Sequence, residues 1–285
     1  MNINNLKIFI SVADEKSITE AANKLYVSQP AISKAIKNLE DELSVKLFQR
    51  DKRNGLIITD VGEKILLLAR QLVNLENKIY QTAFRDNNFL GSKLKIGSIV
   101  TASTVILSKA LPIFRRKYPF VSVELLEGSS NEVQKMVEEH VVDFGIGISP
   151  FGDLDYQILI EDKMIGVIAD EQTHAIIDLK EEQSNLIICK SGQESVINQL
   201  NKDPKIRFNE SLVVQNAETV VNMVNNGVGK GVISEFVLSS VTHDLTICDI
   251  YPQVRMQIGL IAHSFDDLTP VASEFIRIIH TVVDK

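Results

Sequence analysis

Cysteine is nearly absent from this chain: Cys189 and Cys248 are the only two in 285 residues, and their separation suits no metal-ligand pattern. A disulfide framework and a structural zinc site are therefore not expected, and both thiols are read as core residues. No apolar run approaches the roughly 18 residues of a membrane span, and residues 1–17 lack the uninterrupted apolar stretch and cleavage site of a signal peptide. A cytoplasmic protein without a membrane partner is the expectation. Catalytic signatures are missing too. The five histidines, His140, His174, His243, His263 and His280, show no ligand pairing, and no serine sits in a Gly-x-Ser-x-Gly elbow. Gly227-Val228-Gly229-Lys230-Gly231 has the spacing of neither a P-loop nor a dinucleotide fingerprint, and a turn between a helix and a strand explains its glycines better. No cofactor or metal is expected.

Positive charge is also scarce, with 30 Lys/Arg against 37 Asp/Glu and a net charge of −7. That deficit is uneven. Residues 1–62 hold nine basic and eight acidic side chains, for +1, and the rest of the chain carries −8. Nucleic-acid affinity depends on where basic groups cluster, so an acidic total does not exclude a basic face near the N-terminus.

What is present begins with Ser28-Gln29-Pro30-Ala31-Ile32-Ser33-Lys34-Ala35-Ile36-Lys37-Asn38-Leu39-Glu40. Ser28 is an N-cap, Pro30 sits where a missing N–H costs nothing, and Ile32, Ile36 and Leu39 form a stripe at helical spacing. Gln29, Ser33, Lys34 and Lys37 are left free. Upstream, Leu6, Phe9, Ile10 and Ala13 mark an amphipathic helix, and Ser17-Ile18-Thr19-Glu20 opens a second with Ala21, Ala22 and Leu25 inward. The short turn Tyr26-Val27 makes this pair a helix-turn-helix, the alternative being a generic three-helix bundle. Downstream, Phe48 to Thr59 with Asn54-Gly55 reads as a hairpin whose tip carries Arg50, Lys52 and Arg53, suited to phosphate or the minor groove or else an ordinary solvated loop. After Thr59, Val61, Ile65, Leu68, Leu72, Leu75 and Ile79 alternate in steps of four and three, a heptad seam for pairing two subunits or a stripe packed on the helix's own domain.

Residues 1 to about 60 resemble the winged helix-turn-helix of LysR-type transcriptional regulators. The likeness runs through Leu6, Phe9, Ser17, Thr19, Ala21-Ala22, Leu25, Val27 to Ala31, Ser33, Ile36, Leu39-Glu40, Leu43, Leu47-Phe48, Arg50, Thr59 and Gly62. It implies that Ser28, Gln29, Pro30, Ser33, Lys34 and Lys37 lie at the major groove of double-stranded promoter DNA, and Arg50, Lys52 and Arg53 near the backbone or minor groove. The heptad segment then corresponds to the family's linker helix, through which subunits pair. A homodimer assembling into a homotetramer follows from the same likeness, with RNA polymerase as a further candidate partner.

From Leu94 the pattern becomes short β-rich runs near residues 94–97, 121–126, 144–148, 164–169, 186–189, 212–214 and 256–262, with helices near 104–117 and 130–139. This alternation argues for an α/β fold with a largely parallel sheet in two lobes. It resembles the regulatory domain of the same family, which is similar to periplasmic solute-binding proteins. The likeness rests on Ile96-Gly97-Ser98, Leu107, Phe114, Tyr118-Pro119, Glu127-Gly128, Asp143, the run Asn226 to Gly229 and Ile233-Ser234. Ser108 and Gln172-Thr173-His174-Ala175 depart from the family pattern. The expected division is 1–60 for DNA binding, 61–90 for the linker, and 91–285 for regulation, with lobe I at 91–161 and 255–285 and lobe II at 162–254. A small effector is expected between the lobes. Ser98, Ile99, Val100, Thr101 and Ser103 follow a strand and open a helix whose free N–H groups suit an anion. Ser129, Ser149, Gln215 and Asn216 occupy comparable positions. With no arginine in the first loop and two apolar residues beside it, an organic acid with some apolar surface is the expected effector. A small-molecule-binding protein or enzyme with the solute-binding fold is the alternative function.

Overall fold

Four short polar side chains turn the chain into its first four helices in the computed structural model, which describes residues 1–51, 55–87, 89, 91–169, 176–181, 185–190, 196–197 and 212–283. Asn2 caps α1 (Ile3–Glu15), Ser17 caps α2 (Ile18–Leu25), Ser28 caps α3 (Gln29–Leu43) and Thr59 caps α4 (Asp60–Ala83), each accepting a first-turn backbone N–H. Lys16, Tyr26 and Ser44, all in the left-handed region, end the first three helices. Ala21 and Ala22 let α2 approach its neighbours closely, and Leu6, Phe9, Val12, Ile32, Ile36, Leu39 and Leu47 close into one cluster that includes Ala69 of α4. Each large side chain sealed there contributes roughly 1.5–3 kcal/mol. Strands β1 (Phe48–Asp51) and β2 (Gly55–Ile58) form the expected antiparallel hairpin, with Arg50 opposite Leu56. The tip, with Lys52 and Arg53, lies outside the described residues.

The C-terminal part, from residue 91 on, is built on a mixed sheet. In one lobe β3 (Lys93–Ser98), followed by helices α5 (Val100–Ala102) and α6 (Ser108–Lys117), runs parallel to β4 (Ser122–Glu127) and β5 (Phe144–Ile148). In the other, β8 (Leu186–Cys189) runs parallel to β9 (Leu212–Val214) and β10 (Lys230–Ser234). Between them β6 (Asp155–Ile168) carries the chain from the first lobe into the second, and β12 (Arg255–Ala262) returns it antiparallel along β6. β11 (Thr246–Tyr251) joins β6 to β7 (Ile176–Asp178). The expectation of a largely parallel sheet therefore needs correction, since both crossing strands pair antiparallel. The expected strand at 164–169 is only the end of β6. Its first half is invisible to an apolar-run criterion because it interleaves exposed polar positions with Tyr156 and Ile158, themselves exposed.

At the crossing, the buried carboxylate of Asp162 accepts from the Ser234 hydroxyl (2.5 Å) and the Phe236 N–H (3.1 Å), fixing the end of β10 and the start of the short helix α9 (Glu235–Leu238). Gly227, at φ +73°, closes helix α8 (Ala217–Asn225), and a side chain on Gly229 would strike the Asn185 carbonyl. The glycine run is thus the helix-to-strand turn the sequence suggested.

Helix α4 ties the two parts together. Arg70, only 10% exposed, reaches Asp14 of α1 at 2.6 Å and the Glu139 carbonyl at 3.1 Å, beyond helix α7 (Ser130–Glu138). Gln81 bonds the Lys93 carbonyl and the Val271 N–H of α10 (Pro270–Val283). Beside Arg70, Gln71 lies 3.0 Å from His140 Nε2, and the His140 ring stacks on His263 at 3.9 Å. Burial, then the neighbouring His263 and Arg70 charges, pull His140 down to about 4. A histidine depressed in the folded state is protonated first in the unfolded chain, so its contribution to stability is lost as pH falls from about 6.5 towards 4. His140→Asn keeps a residue that tolerates φ +53° and removes the titration. Thermal melting should then decline less steeply than wild type between about pH 7 and pH 5. An unchanged decline would show that this ring does not titrate there.

Candidate DNA-binding face and effector cleft

The α3 face away from the core begins at the helix start, where Ser28, Gln29, Pro30, Ser33, Lys34 and Lys37 are all exposed while Ile32, Ile36 and Leu39 are sealed. Arg50 is exposed on β1, on the same module. The wing is held to α3 by Glu40, whose buried carboxylate accepts from Leu47 N–H at 2.8 Å and Lys46 Nζ at 2.6 Å. Burial opposes ionisation of Glu40, but Lys46 and the Leu47 and Phe48 N–H groups outweigh it and hold the carboxyl below its usual range. An exposed polar and basic helix start, braced against a two-stranded wing, can meet phosphates and base edges together.

Between the lobes lies a cavity of about 530 Å³. Among the helices with described first turns, three start at its wall: residues 100–117 from the first lobe, α7 from the same lobe, and α8 from the second. Two carry their own caps. Ser129 accepts from Glu132 N–H and Glu132 returns a carboxylate oxygen to the Ser129 N–H (2.7 Å) and hydroxyl (2.8 Å), so these donors hold Glu132 below the usual carboxylate range. Asn216 accepts from Thr219 N–H at 2.9 Å. The third start, at Ile99, has no side-chain cap. Thr101 lies there, 9% exposed, lining the cavity with no hydrogen-bond partner for its hydroxyl among the described residues. Charged groups on the walls are Glu127 and Glu132 from the first lobe, and Lys190 and Glu218 from the second.

Family comparison covers both parts of the chain. Residues 3–63 match the profile of the bacterial regulatory helix-turn-helix proteins of the lysR family, and residues 88–284 match the LysR substrate binding domain. The chain belongs to the LysR family of transcriptional regulators. The HTH-type transcriptional regulator YoaU of Bacillus subtilis (strain 168) is 47% identical to this LysR-type regulator over 287 residues, 99% of each chain. A full-length OxyR variant from Pseudomonas aeruginosa shares its fold with a TM-score of 0.74 at 22% identity, covering 99% of this chain and 94% of that one. Full-length CbnR complexed with its target DNA gives 0.60 at 19% identity, over 99% of this chain and 100% of that one. LysR proteins are regulators and not enzymes, which sets aside the enzymatic alternative. No described helix of the regulator is long and apolar enough to cross a membrane.

Of the effector candidates read from the LysR-type sequence, Ile99, Val100, Thr101, Ser129, Ser149, Gln215 and Asn216 line the cavity. Ser98 and Ser103 do not. Ser98 is fully buried at the end of β3, and both hydroxyls turn back to the Ile99 carbonyl, at 3.0 and 3.4 Å. Ser149 accepts from Gln257 N–H, and Cys189, buried as expected, also reaches the cavity wall. Sequence reasoning missed Ser130, Asn131, Glu132 and Gln134 on the first turns of α7, although the Ser129-x-x-Glu132 spacing was visible as a capping box. It also missed Lys190, which follows Cys189 at the end of β8, and Glu218, two residues beyond Asn216. On α4, Val61, Leu68, Leu72, Leu75 and Ile79 of the heptad set are exposed, whereas Ile65 packs against the DNA-binding core.

Proposed function

We propose that paired subunits of this regulator hold promoter DNA with the exposed start of α3 in the major groove and Arg50 of the wing at the backbone, and that an effector in the interlobe cleft changes how the pair sits. The observation that carries the reading is the division of α3, with Ser28, Gln29, Pro30, Ser33, Lys34 and Lys37 on its open side. Pairing runs through the exposed α4 stripe of Val61, Leu68, Leu72, Leu75 and Ile79, while Ile65 serves the subunit's own core. Two such dimers form the tetramer, in the cytoplasm, and RNA polymerase is the partner through which promoter occupancy is read. The profile matches at 3–63 and 88–284 support a division into 1–60, 61–90 and 91–285.

An anionic group of the effector docks at the uncapped helix start beside Ile99, Val100 and Thr101. Ser129, Ser149, Gln215 and Asn216 line the rest of the site. Its control over DNA is a population shift, as large as its difference in affinity for two arrangements of the assembly and no larger. Fluorescence anisotropy with DNA from upstream of the protein's own gene, against a scrambled duplex and across a salt series, tests DNA recognition. Saturable preference with affinity falling as salt rises is the expected result. No preference anywhere in a genomic DNA pool would defeat it. Thr101→Val should leave that binding nearly intact and remove the effector response, weakening effector affinity by about tenfold or more for one lost polar contact in a buried site. A normal response would remove Thr101 from the site.

A further inference from the structure

The cleft is built for two opposite charges. Its anion half is the start of the helical run that continues through Val100–Ala102, Ser103–Leu107 and Ser108–Lys117. First-turn N–H groups of such a run have no intrahelical acceptor, and here no side chain supplies one, unlike at Ser129 and Asn216. Thr101, nine-tenths buried as a residue, lines the cavity and adds a hydroxyl with no partner among the described residues. Together they are complementary to one carboxylate.

The rest of the described wall has the other sign. The carboxylates of Glu127 and Glu218 have no hydrogen-bond or ion-pair partner among the described residues, and Glu132 is kept ionised chiefly by the Ser129 donors on one oxygen, with a smaller pull from the Lys190 charge. Lys190 is the sole basic side chain among the described lining residues. A simple carboxylic acid would satisfy the helix start and meet the unpartnered Glu127 and Glu218 carboxylates, and a simple amine would leave the helix start and Thr101 unsatisfied. The two halves are also close. Glu127 ends β4 directly opposite Ser98 of β3, and Gly128 N–H bonds the Ser98 carbonyl at 3.1 Å, so Glu127 closes the strand beside the one that leads into the helix start. Neighbouring strand ends, one carrying a carboxylate and the other opening a helix, suit a ligand whose ammonium and carboxylate are close together.

We propose that the effector is an α-amino acid bound as its zwitterion. The carboxylate lies on the Val100–Ala102 N–H groups and Thr101, and the ammonium lies between Glu127 and Glu132. Ile148 and Pro150 on one lobe and Val237 and Val241 on the other give its side chain an apolar slot. The proposal rests on the interlobe cleft being the effector site, and it replaces a plain organic acid with one that carries an amine.

The test is thermal-shift and calorimetric titration of the full-length protein with the proteinogenic L-amino acids at millimolar concentration. Each is set beside its deaminated acid and its decarboxylated amine; for leucine these are 4-methylpentanoate and 3-methylbutylamine. At least one amino acid should raise the melting temperature, with both stripped analogues much weaker. Glutamine at the third helical position preserves a capping box, so Glu132→Gln keeps α7 capped while weakening that amino acid about tenfold. A deaminated acid that binds as tightly as its amino acid, or no shift from any amino acid, overturns the proposal. If an amino acid binds but Thr101→Val leaves its affinity unchanged, the cleft reading itself fails. If Thr101→Val weakens binding while the amine proves dispensable, the cleft stands and only the zwitterion is lost.

Discussion

Replacing Leu68 and Leu75 together by aspartate leaves the subunit folded and abolishes its tight hold on promoter DNA. Both side chains are 57% exposed on α4 and one heptad apart, so neither helps close the subunit's own core. Aspartate at exposed helix positions costs only tenths of a kcal/mol in propensity each, but it sets charges against one another in the seam where two copies of α4 would meet. A monomer keeps one recognition helix and one wing. Halving the phosphate contacts should halve the slope of log affinity against log salt. Losing the linked second module should cost about 10²-fold to 10⁴-fold in affinity, because its binding is no longer intramolecular. Sedimentation velocity, with anisotropy on the same samples, checks both effects. A variant that stays dimeric would move the pairing surface off this stripe. A monomer that binds DNA as tightly as wild type would mean that one module suffices.

The N-terminal third was legible in the sequence because its signals are local. Ser17, Ser28 and Thr59 cap helices where a capping residue precedes an apolar repeat, and Ile32, Ile36 and Leu39 are buried at the spacing that marked them. What sequence spacing cannot distinguish is which apolar partner a stripe finds. Ile65 and Leu68 look alike in the heptad, yet one packs on α1 to α3 and the other faces outward. In the regulatory part, apolar runs marked buried strands but missed the first half of β6, which is exposed along one side. The cleft was half legible. A loop between strand and helix was the right place to look, and Thr101 lines the cavity, but Ser98, three residues earlier at the end of β3, is spent on the Ile99 carbonyl. Which hydroxyl faces the ligand is fixed by where the strand ends and the helix begins, at a resolution of one residue. The charge of the far wall depends on β8 and α8 meeting β4 and α7 across the lobes, a long-range fact with no local signature.

Glu40→Ala should strongly destabilise the DNA-binding module. Glu40 is 8% exposed and its carboxylate answers the N–H groups of Leu47 and Phe48, at the point where the chain leaves α3 for the wing, while also pairing with Lys46. Removing it strands the buried Leu47 N–H without a partner and releases the corner that sets β1 against α3. Hydrogen bonds to a charged group are worth roughly 1.5–3 kcal/mol, so the loss is about 3 kcal/mol from a module of some sixty residues. At about 4–8 °C per kcal/mol, that module should melt more than 10 °C below wild type. DNA binding should fail first at elevated temperature, while melting of the regulatory part is unchanged. Glu40→Gln retains an oxygen for Leu47 N–H and should recover most of the loss. The sign with pH follows from the depressed carboxyl: the contribution is present above the unfolded value near 4.5 and is lost as pH falls through the folded one. Calorimetry of both variants at neutral and acidic pH decides the matter. If Glu40→Ala melts with wild type, the corner is held by packing of Leu39 and Leu47 alone, and the carboxylate is a passenger.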